Sequence, residues 1–394
     1  MLLVNNTEFI ANNKNKSLPE IALQLSKTDL DKTYILSQIN GIQKAKTKLP
    51  EFYKTPNIVY PPKLSMEQCS SEKTGSFKSH LFECESLIDL TGGFGIDSFY
   101  FSKTVKNVIH IEQNGELSEI AKNNFMLLKA NNITTIITTA EEFIKNTTEK
   151  ADIIYIDPSR RNENLRVFKL AECVPNIINL ASDLFKITNK ILVKTAPLLD
   201  IKQTIKDLKN VSTIWVISVD NDCKEVLYLI EKNKTEEPTI YTINLTKKNQ
   251  EYSFNYCIEN NSSVLLSSPE KYLYESNSAI LKAGAFNSIC HEFKVKKIAT
   301  NSHIYTSETL IEDFPGRTFK IEKTIPYSPK DFKKIGIKQA NVSCRNFKHS
   351  VEEVKKKLKI KDGGNHYIFA TTDSDNKPIL IICKKTLKNL HIRN

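Results

Sequence analysis

Residues 87–97 read Leu-Ile-Asp-Leu-Thr-Gly-Gly-Phe-Gly-Ile-Asp. The apolar start suits a buried strand. The glycines suit a turn in which backbone approaches a ligand closely, because glycine carries no Cβ. Asp89 lies on the last part of that strand. Two further apolar runs also end in acids: Val108-Ile109-His110-Ile111 stops at Glu112, and Ile153-Ile154-Tyr155-Ile156 stops at Asp157-Pro158-Ser159-Arg160-Arg161. Glu112 lies 20 residues past Gly92, which leaves room for one helix, and an acid at that place can accept both hydroxyls of a ribose. A Gly-Gly-x-Gly turn also occurs in nicotinamide enzymes and in purely structural α/β turns. Asp89 weighs against the first, since a carboxylate beside the glycines repels a pyrophosphate and suits a cationic group.

Outward from this stretch, strands are expected at 86–91, 107–112, 134–139, 152–157, 190–196, 212–219 and 225–231, with helices between the first six, for example at 115–130 and 200–209. That alternation predicts a parallel sheet with helices on both faces. Asp220-Asn221-Asp222 is turn chemistry and makes the last two strands a hairpin, so one strand is antiparallel. The expected fold class is α/β: a seven-stranded Rossmann-like sheet, last strand antiparallel, with an N-terminal helical region and a small C-terminal α+β domain. In residues 1–80, Ile35, Ile39 and Ile42 mark an amphipathic helix and Pro61-Pro62 a break. The polar segment Leu64–Glu72 is either a lid or a connector, and its entry beside the glycine turn favours the lid. Residues 239–258 read as short polar strands and 269–297 as helical. The tail gives strand 318–325, helix 329–335, strand 340–344, helix 351–359 and a hairpin at 366–383.

The order of the three acid-ended strands resembles the class I S-adenosylmethionine-dependent methyltransferases. The resemblance implies S-adenosylmethionine as cofactor. Asp89, Thr91, Gly92, Gly93 and Gly95 would receive its amino-acid end, and Glu112 its ribose. Glu141 would stand near the adenine, although a glutamate favoured by a helix dipole explains that residue equally well. Amino-methylating relatives carry an acid or amide, Pro-Pro and an aromatic where this chain has Asp157-Pro158-Ser159-Arg160. Asp157, Pro158 and Arg160 are therefore the expected catalytic residues. An arginine plane could replace the stacking aromatic or bind a phosphate, while a structural ion pair is the plainer reading of Arg160 and Arg161. No cysteine follows the Asp157 strand closely, so a thiolate route to carbon lacks its nucleophile. Methyl transfer by direct displacement needs alignment more than acid–base groups.

Asp157–Arg161, the stretch Ser218–Glu225 and Asn341-Val342-Ser343-Cys344-Arg345-Asn346-Phe347 together look like bacterial class I methyltransferases with a THUMP-like C-terminal domain, from residue 37 onwards. The expected domains are 1–80 (helical region and lid), 81–235 (methyltransferase), 236–300 (connecting subdomain) and 301–394 (basic THUMP-like domain). THUMP domains are RNA-binding modules of RNA-modifying enzymes, so the likeness implies methylation of a tRNA or rRNA base, at nitrogen rather than carbon. A protein or small-molecule methyltransferase, or an RNA-binding protein that keeps the pocket only for stability, are the other readings. Charge bears on this: of the net +11, residues 292–394 carry all, with 22 Lys/Arg against 11 Asp/Glu. A basic appendage suggests a polyanionic partner; a lysine-rich solvated surface accounts for the count equally well. The eight cysteines form no Cys-x-x-Cys pair, which indicates neither zinc nor a disulfide framework. With no run of about 18 apolar residues and no signal-like start, a cytoplasmic protein without membrane attachment is expected.

Overall fold

The computed structural model describes residues 2–159, 161–162, 165–166 and 169–386. Two compact units emerge, Met1–Thr213 with Glu225–Glu236, and Ile214–Lys224 with Glu237–Asn394. The strands that matter for the first are β1 (Ser86–Asp89), β2 (Asn107–Glu112), β3 (Ile133–Ile137), β4 (Ile153–Ile156), β5 (Lys190–Thr195) and, after β6 (Val211–Val219), β7 (Asp222–Glu231). Their order in the first unit is β7-β5-β4-β1-β2-β3. β1 to β5 are parallel, and β7 runs antiparallel to β5. β4 is buried at every position, as a strand covered on both faces must be. The strand order reverses between β1 and β4, so the ligand crevice belongs outside their carboxyl ends. Register sets Asp89 beside His110 on one side and Tyr155 on the other.

Helices Ile96–Phe101, Gly115–Leu127, Ala140–Asn146, Ile177–Ile187 and Ile201–Leu208 follow the five parallel strands. Caps explain where expected boundaries move. The third strand ends at Ile137 rather than 139 because the Thr139 side chain accepts from Glu142 N and starts a helix. The next helix back ends at Leu127 rather than 130, just before Lys129 turns to φ 60°. In the N-terminal region Ile35 and Ile39 pack with Ile21 and Leu25. Phe52 then lies 5.7 Å from Phe94 and 5.2 Å from Phe99, ring centre to ring centre. The residues that follow β1 thus share a core with the helices that precede it. The segment 64–72 is mostly helical, Lys63–Gln68, and Ser71 then opens helix Glu72–Ser79 through a capping box with Thr74.

In the second unit β8 (Thr239–Leu245) and β9 (Gln250–Phe254) extend the strand order as β9-β8-β6, so this sheet has nine strands rather than the seven expected. Asp220 and Asn221 form the turn before β7, both with positive φ, at 51° and 68°, the backbone that Asp and Asn tolerate best. A second sheet holds β10 (Tyr272–Ser276), β11 (Lys296–Lys297), β12 (Ile304–Ser307), β13 (Gly316–Pro326), β14 (Asn341–Cys344), β15 (His366–Thr372) and β16 (Pro378–Lys385), in the order β11-β12-β10-β13-β16-β15-β14. The expected helix over 269–297 is corrected here. Tyr272-Leu273-Tyr274 pairs as β10 with two strands, β12 and β13, and helix begins only after Asn277 caps Ser278–Ala283. The β formers Tyr272 and Tyr274 override a pattern read over a longer window. The tail keeps its expected order, with helices Pro329–Lys333 and Val351–Leu358 between β13, β14 and β15. Among the described residues no helix is long and apolar enough to cross a membrane.

Candidate functional site

The three glycines of the turn do different work. A Cβ on Gly92 would fall 2.1 Å from His110 Cε1, and one on Gly95 would fall 2.5 Å from Phe125 Cζ. Those two glycines admit neighbouring rings. Gly93, at φ +56°, has only Thr91 O near the place of its Cβ, at 3.9 Å, and is the open position of the turn. Its amide donates to Glu112 Oε2 at 2.8 Å, while Asn114 N donates to Glu112 Oε1 at 2.8 Å. Two backbone donors therefore fix the carboxylate that ends β2.

Asp89 lies beneath the turn, 1% exposed. It accepts from Thr91 N at 3.0 Å and from Ser98 Oγ at 2.6 Å. Ser98 Oγ also meets His110 Nδ1 at 2.9 Å, and since its one proton goes to Asp89, the ring nitrogen donates to it. His110 Nε2 is buried without a partner among the described residues. Burial pushes the Asp89 carboxyl up to about 7 and the His110 imidazole down to about 4, because each loses water around its charged form. Thr91 links this layer to the next, as its hydroxyl accepts from Asp157 N at 2.7 Å.

Asp157, half-exposed at the end of β4, opens a chain of charges. Its Oδ2 accepts from Lys194 Nζ, on β5, at 2.5 Å. Lys194 also reaches Ser70 Oγ at 3.0 Å and Asp97 Oδ2 at 3.4 Å. Asp97 accepts from Tyr155 Oη at 2.7 Å and from Ser70 Oγ at 2.8 Å, and its Oδ1 forms an ion pair with Lys78 Nζ at 3.1 Å. Lys78, 0% exposed, completes the set with Glu225 Oε1 at 2.6 Å. Burial opposes ionisation of Asp97, yet the ammonium groups of Lys78 and Lys194 hold its carboxyl well below the usual range. Burial likewise disfavours the charged Lys194, but Asp157 and Asp97 outweigh it and raise that ammonium well above its ordinary value. Two lysines and three acids leave one net negative charge, with Asp157 the most exposed member at 35%.

Direct hydrogen bonds join Asp89, Thr91 and Asp157 in one set and Gly93 and Glu112 in another, at three strand ends, and Pro158 is buried next to Asp157. Glu141 is exposed in the first turn of helix Ala140–Asn146 and takes no part in these bonds. Arg160 lies outside the described residues. Ser70, Lys78, Asp97, Tyr155 and Glu225 adjoin the candidate site and were not among the residues expected there from the sequence. Ser70 ties the segment 64–72 to the charges, a tie compatible with a lid role. Asp97 stood inside the quoted turn, but Lys78 and Glu225 are 147 residues apart and carry no joint signal.

Comparison with known proteins supplies the family. Residues 316–385 match a THUMP domain-like family, 272–315 a ferredoxin-like domain and 76–211 the family described as conserved hypothetical protein 95. No curated protein matches the chain. A crystal structure of a candidate methyltransferase from Porphyromonas gingivalis W83 is 33% identical, covers 97% of this chain and 98% of its own, and aligns with a TM-score of 0.86. A candidate rRNA methylase from Clostridium thermocellum aligns over 41% of this chain and 95% of its own, at 15% identity and a TM-score of 0.31. The tRNA m1G37 methyltransferase of M. jannaschii covers 42% of this chain and 52% of its own, at 15% identity and a TM-score of 0.30. By its likeness to the Porphyromonas protein along nearly its whole length, this chain belongs to the family of class I methyltransferases with a THUMP-like C-terminal domain.

Proposed function

We propose that the protein transfers a methyl group from S-adenosylmethionine to a base nitrogen of tRNA or rRNA. The observation that carries the cofactor half is the open Gly93 beside a Glu112 carboxylate already fixed by two amides. A carboxylate has about four lone-pair sites, so Glu112 retains capacity for both ribose hydroxyls. Asp89, Thr91, Gly92 and Gly95 shape the turn that would receive the amino-acid end, and Glu141 would border the adenine. S-adenosylmethionine, when bound, supplies an electrophilic methyl on a cationic sulfur, and a site with net negative charge at Asp157 favours a cation. Asp157 would accept a hydrogen bond from the amine to be methylated, with Lys194 holding the carboxylate in direction. Pro158 and Arg160 would flank that acceptor.

The RNA half is supported by the THUMP-like match over 316–385 and by the charge of residues 292–394. Methyl transfer from labelled S-adenosylmethionine to total RNA of a strain lacking the gene tests both halves. The expected product is one methylated nucleoside, identical by mass spectrometry to the one missing from that strain. Transfer to protein or small molecules only would replace the RNA reading. Binding of RNA without any transfer would favour a non-catalytic role.

A further inference from the structure

The motif Asn341–Phe347 has no part in the site above, yet its arginine is held with unusual care. Arg345 follows β14. Its amide donates to Ala370 O at 3.0 Å, and the Asn346 side chain donates to Thr372 Oγ1 at 2.7 Å. With the backbone pinned on both sides, Arg345 Nη2 reaches Glu275 Oε1 on β10 at 2.8 Å. The other oxygen of Glu275 is taken by a second arginine. Arg317, paired with Glu275 in the register of β10 and β13, donates to Oε2 from Nε at 2.7 Å and from Nη2 as well. Its guanidinium stands 5.5 Å from the centre of the Phe319 ring, a cation–π distance.

One carboxylate, 4% exposed, thus orients two guanidinium groups that are each 39% exposed. The cluster is over-supplied with cations by one. Arg345 Nε is buried with no acceptor among the described residues, and so is Nδ1 of His303, a ring close enough to feel the Arg345 charge. Arg345 Nη1 makes only a 3.4 Å bond, to the carbonyl of its neighbour Cys344. A plain ion pair for Glu275 would need one arginine, fully enclosed. Two half-exposed forks, immobilised side by side with donors to spare, match the oxygens of a phosphate.

We propose that Arg317 and Arg345, oriented by Glu275, form a phosphate clamp that grips the RNA backbone. This rests on the RNA reading given above and names the contact through which the second unit would hold that substrate. Phosphate contacts position a nucleic acid without reading its sequence, which is the task expected of a domain outside the catalytic sheet.

The test uses the full chain with Arg317→Gln and Arg345→Gln, and Ile381→Ala as a control that weakens the core beneath the same sheet. Affinity for total tRNA is measured over a range of salt, together with affinity for inorganic pyrophosphate. Each arginine variant is expected to raise the Kd for tRNA about tenfold, the size of one charge-assisted hydrogen bond, and to flatten the log–log salt slope by about 0.7 to 0.9. Ile381→Ala should leave both unchanged at temperatures where it is folded. Arginine variants that bind tRNA with the wild-type Kd and slope, or no more weakly than the Ile381 control, overturn the clamp. Should the wild type bind no RNA but bind pyrophosphate, with the arginine variants losing it, the clamp stands and the RNA substrate falls. Loss of neither ligand in the variants sinks the clamp itself.

Discussion

Lys78→Met removes the ammonium on which two buried acids depend. The side chain is 0% exposed and lies 2.6 Å from Glu225 Oε1 and 3.1 Å from Asp97 Oδ1. Methionine keeps most of the apolar stem, so packing changes little and the charge is what is lost. Removing one partner of a buried pair costs about 3–5 kcal/mol, because the other charge is left uncompensated. Asp97 keeps Lys194 at 3.4 Å. Lys78 is the larger of the two ammonium influences that hold the Asp97 carboxyl below its usual range, so its loss lets that carboxyl rise. An acid held low in the folded state contributes stability that is present above its unfolded value and lost as pH falls through the folded one. The deficit of the variant is therefore full at neutral pH and shrinks as the solution is acidified. Urea unfolding followed by far-ultraviolet circular dichroism at pH 7 and pH 3 measures this. A wild-type midpoint at pH 7, or a deficit that does not change with pH, would refute the reasoning.

Further outcomes follow from the same geometry. Gly92→Ala drives a Cβ into the His110 ring and should cost about 1–3 kcal/mol of stability by thermal melting, whereas Gly93→Val, though strained by its φ of +56°, also fills the open space and should weaken S-adenosylhomocysteine binding at least about tenfold by calorimetry at temperatures where it is folded; equal effects of both on binding would contradict the division of roles among the glycines. Asp157→Ala should abolish turnover on RNA while leaving affinity for S-adenosylhomocysteine, which lacks the cationic sulfur, within about twofold, and full single-turnover activity would move the acceptor site elsewhere. Asp89→Asn should gain stability relative to wild type as pH rises from about 4 to 7. The wild-type carboxyl, raised to about 7 by burial, contributes stability below its unfolded value that is lost as pH rises through the folded one; unfolding midpoints at pH 5 and 7 that keep a constant difference would exclude it.

What was legible in the sequence is what short-range physics writes there. Apolar runs ending in Asp89, Glu112 and Asp157 gave the strand ends because strand burial on both faces leaves a continuous apolar signature. Asp220-Asn221 announced its turn because positive φ restricts the choice of residue. The helix read over 269–297 failed since Tyr272–Ser276 gains its stability from two partner strands, β12 and β13, that lie later in the chain. Lys78 was illegible for the same reason. A lysine on a short polar helix reads as solvated, and only the fold brings it to Glu225. The glycines were legible as a turn but not as individuals, since His110 and Phe125, the rings that require Gly92 and Gly95, arrive from other elements.

The distribution of charge gives the proposed reaction a physical division of labour. At the strand ends Lys78 and Lys194 balance two of three acids, and the remaining negative charge falls on the member nearest solvent, Asp157. Such a site would attract the proposed cationic methyl donor and repel phosphates. Residues 292–394 carry the opposite sign, net +11, and would attract phosphates wherever they are offered. On the proposed reading the acidic crevice would favour an uncharged part of an RNA, a base, over a phosphate. That preference follows from the sign of the charge that Lys194 leaves at Asp157, which is why Asp157 and Lys194 should be altered together when the choice of acceptor is probed: Lys194→Met alone makes the crevice more acidic and should weaken RNA turnover, and Asp157→Asn in the same chain should relieve the repulsion without restoring the hydrogen bond that orients the amine.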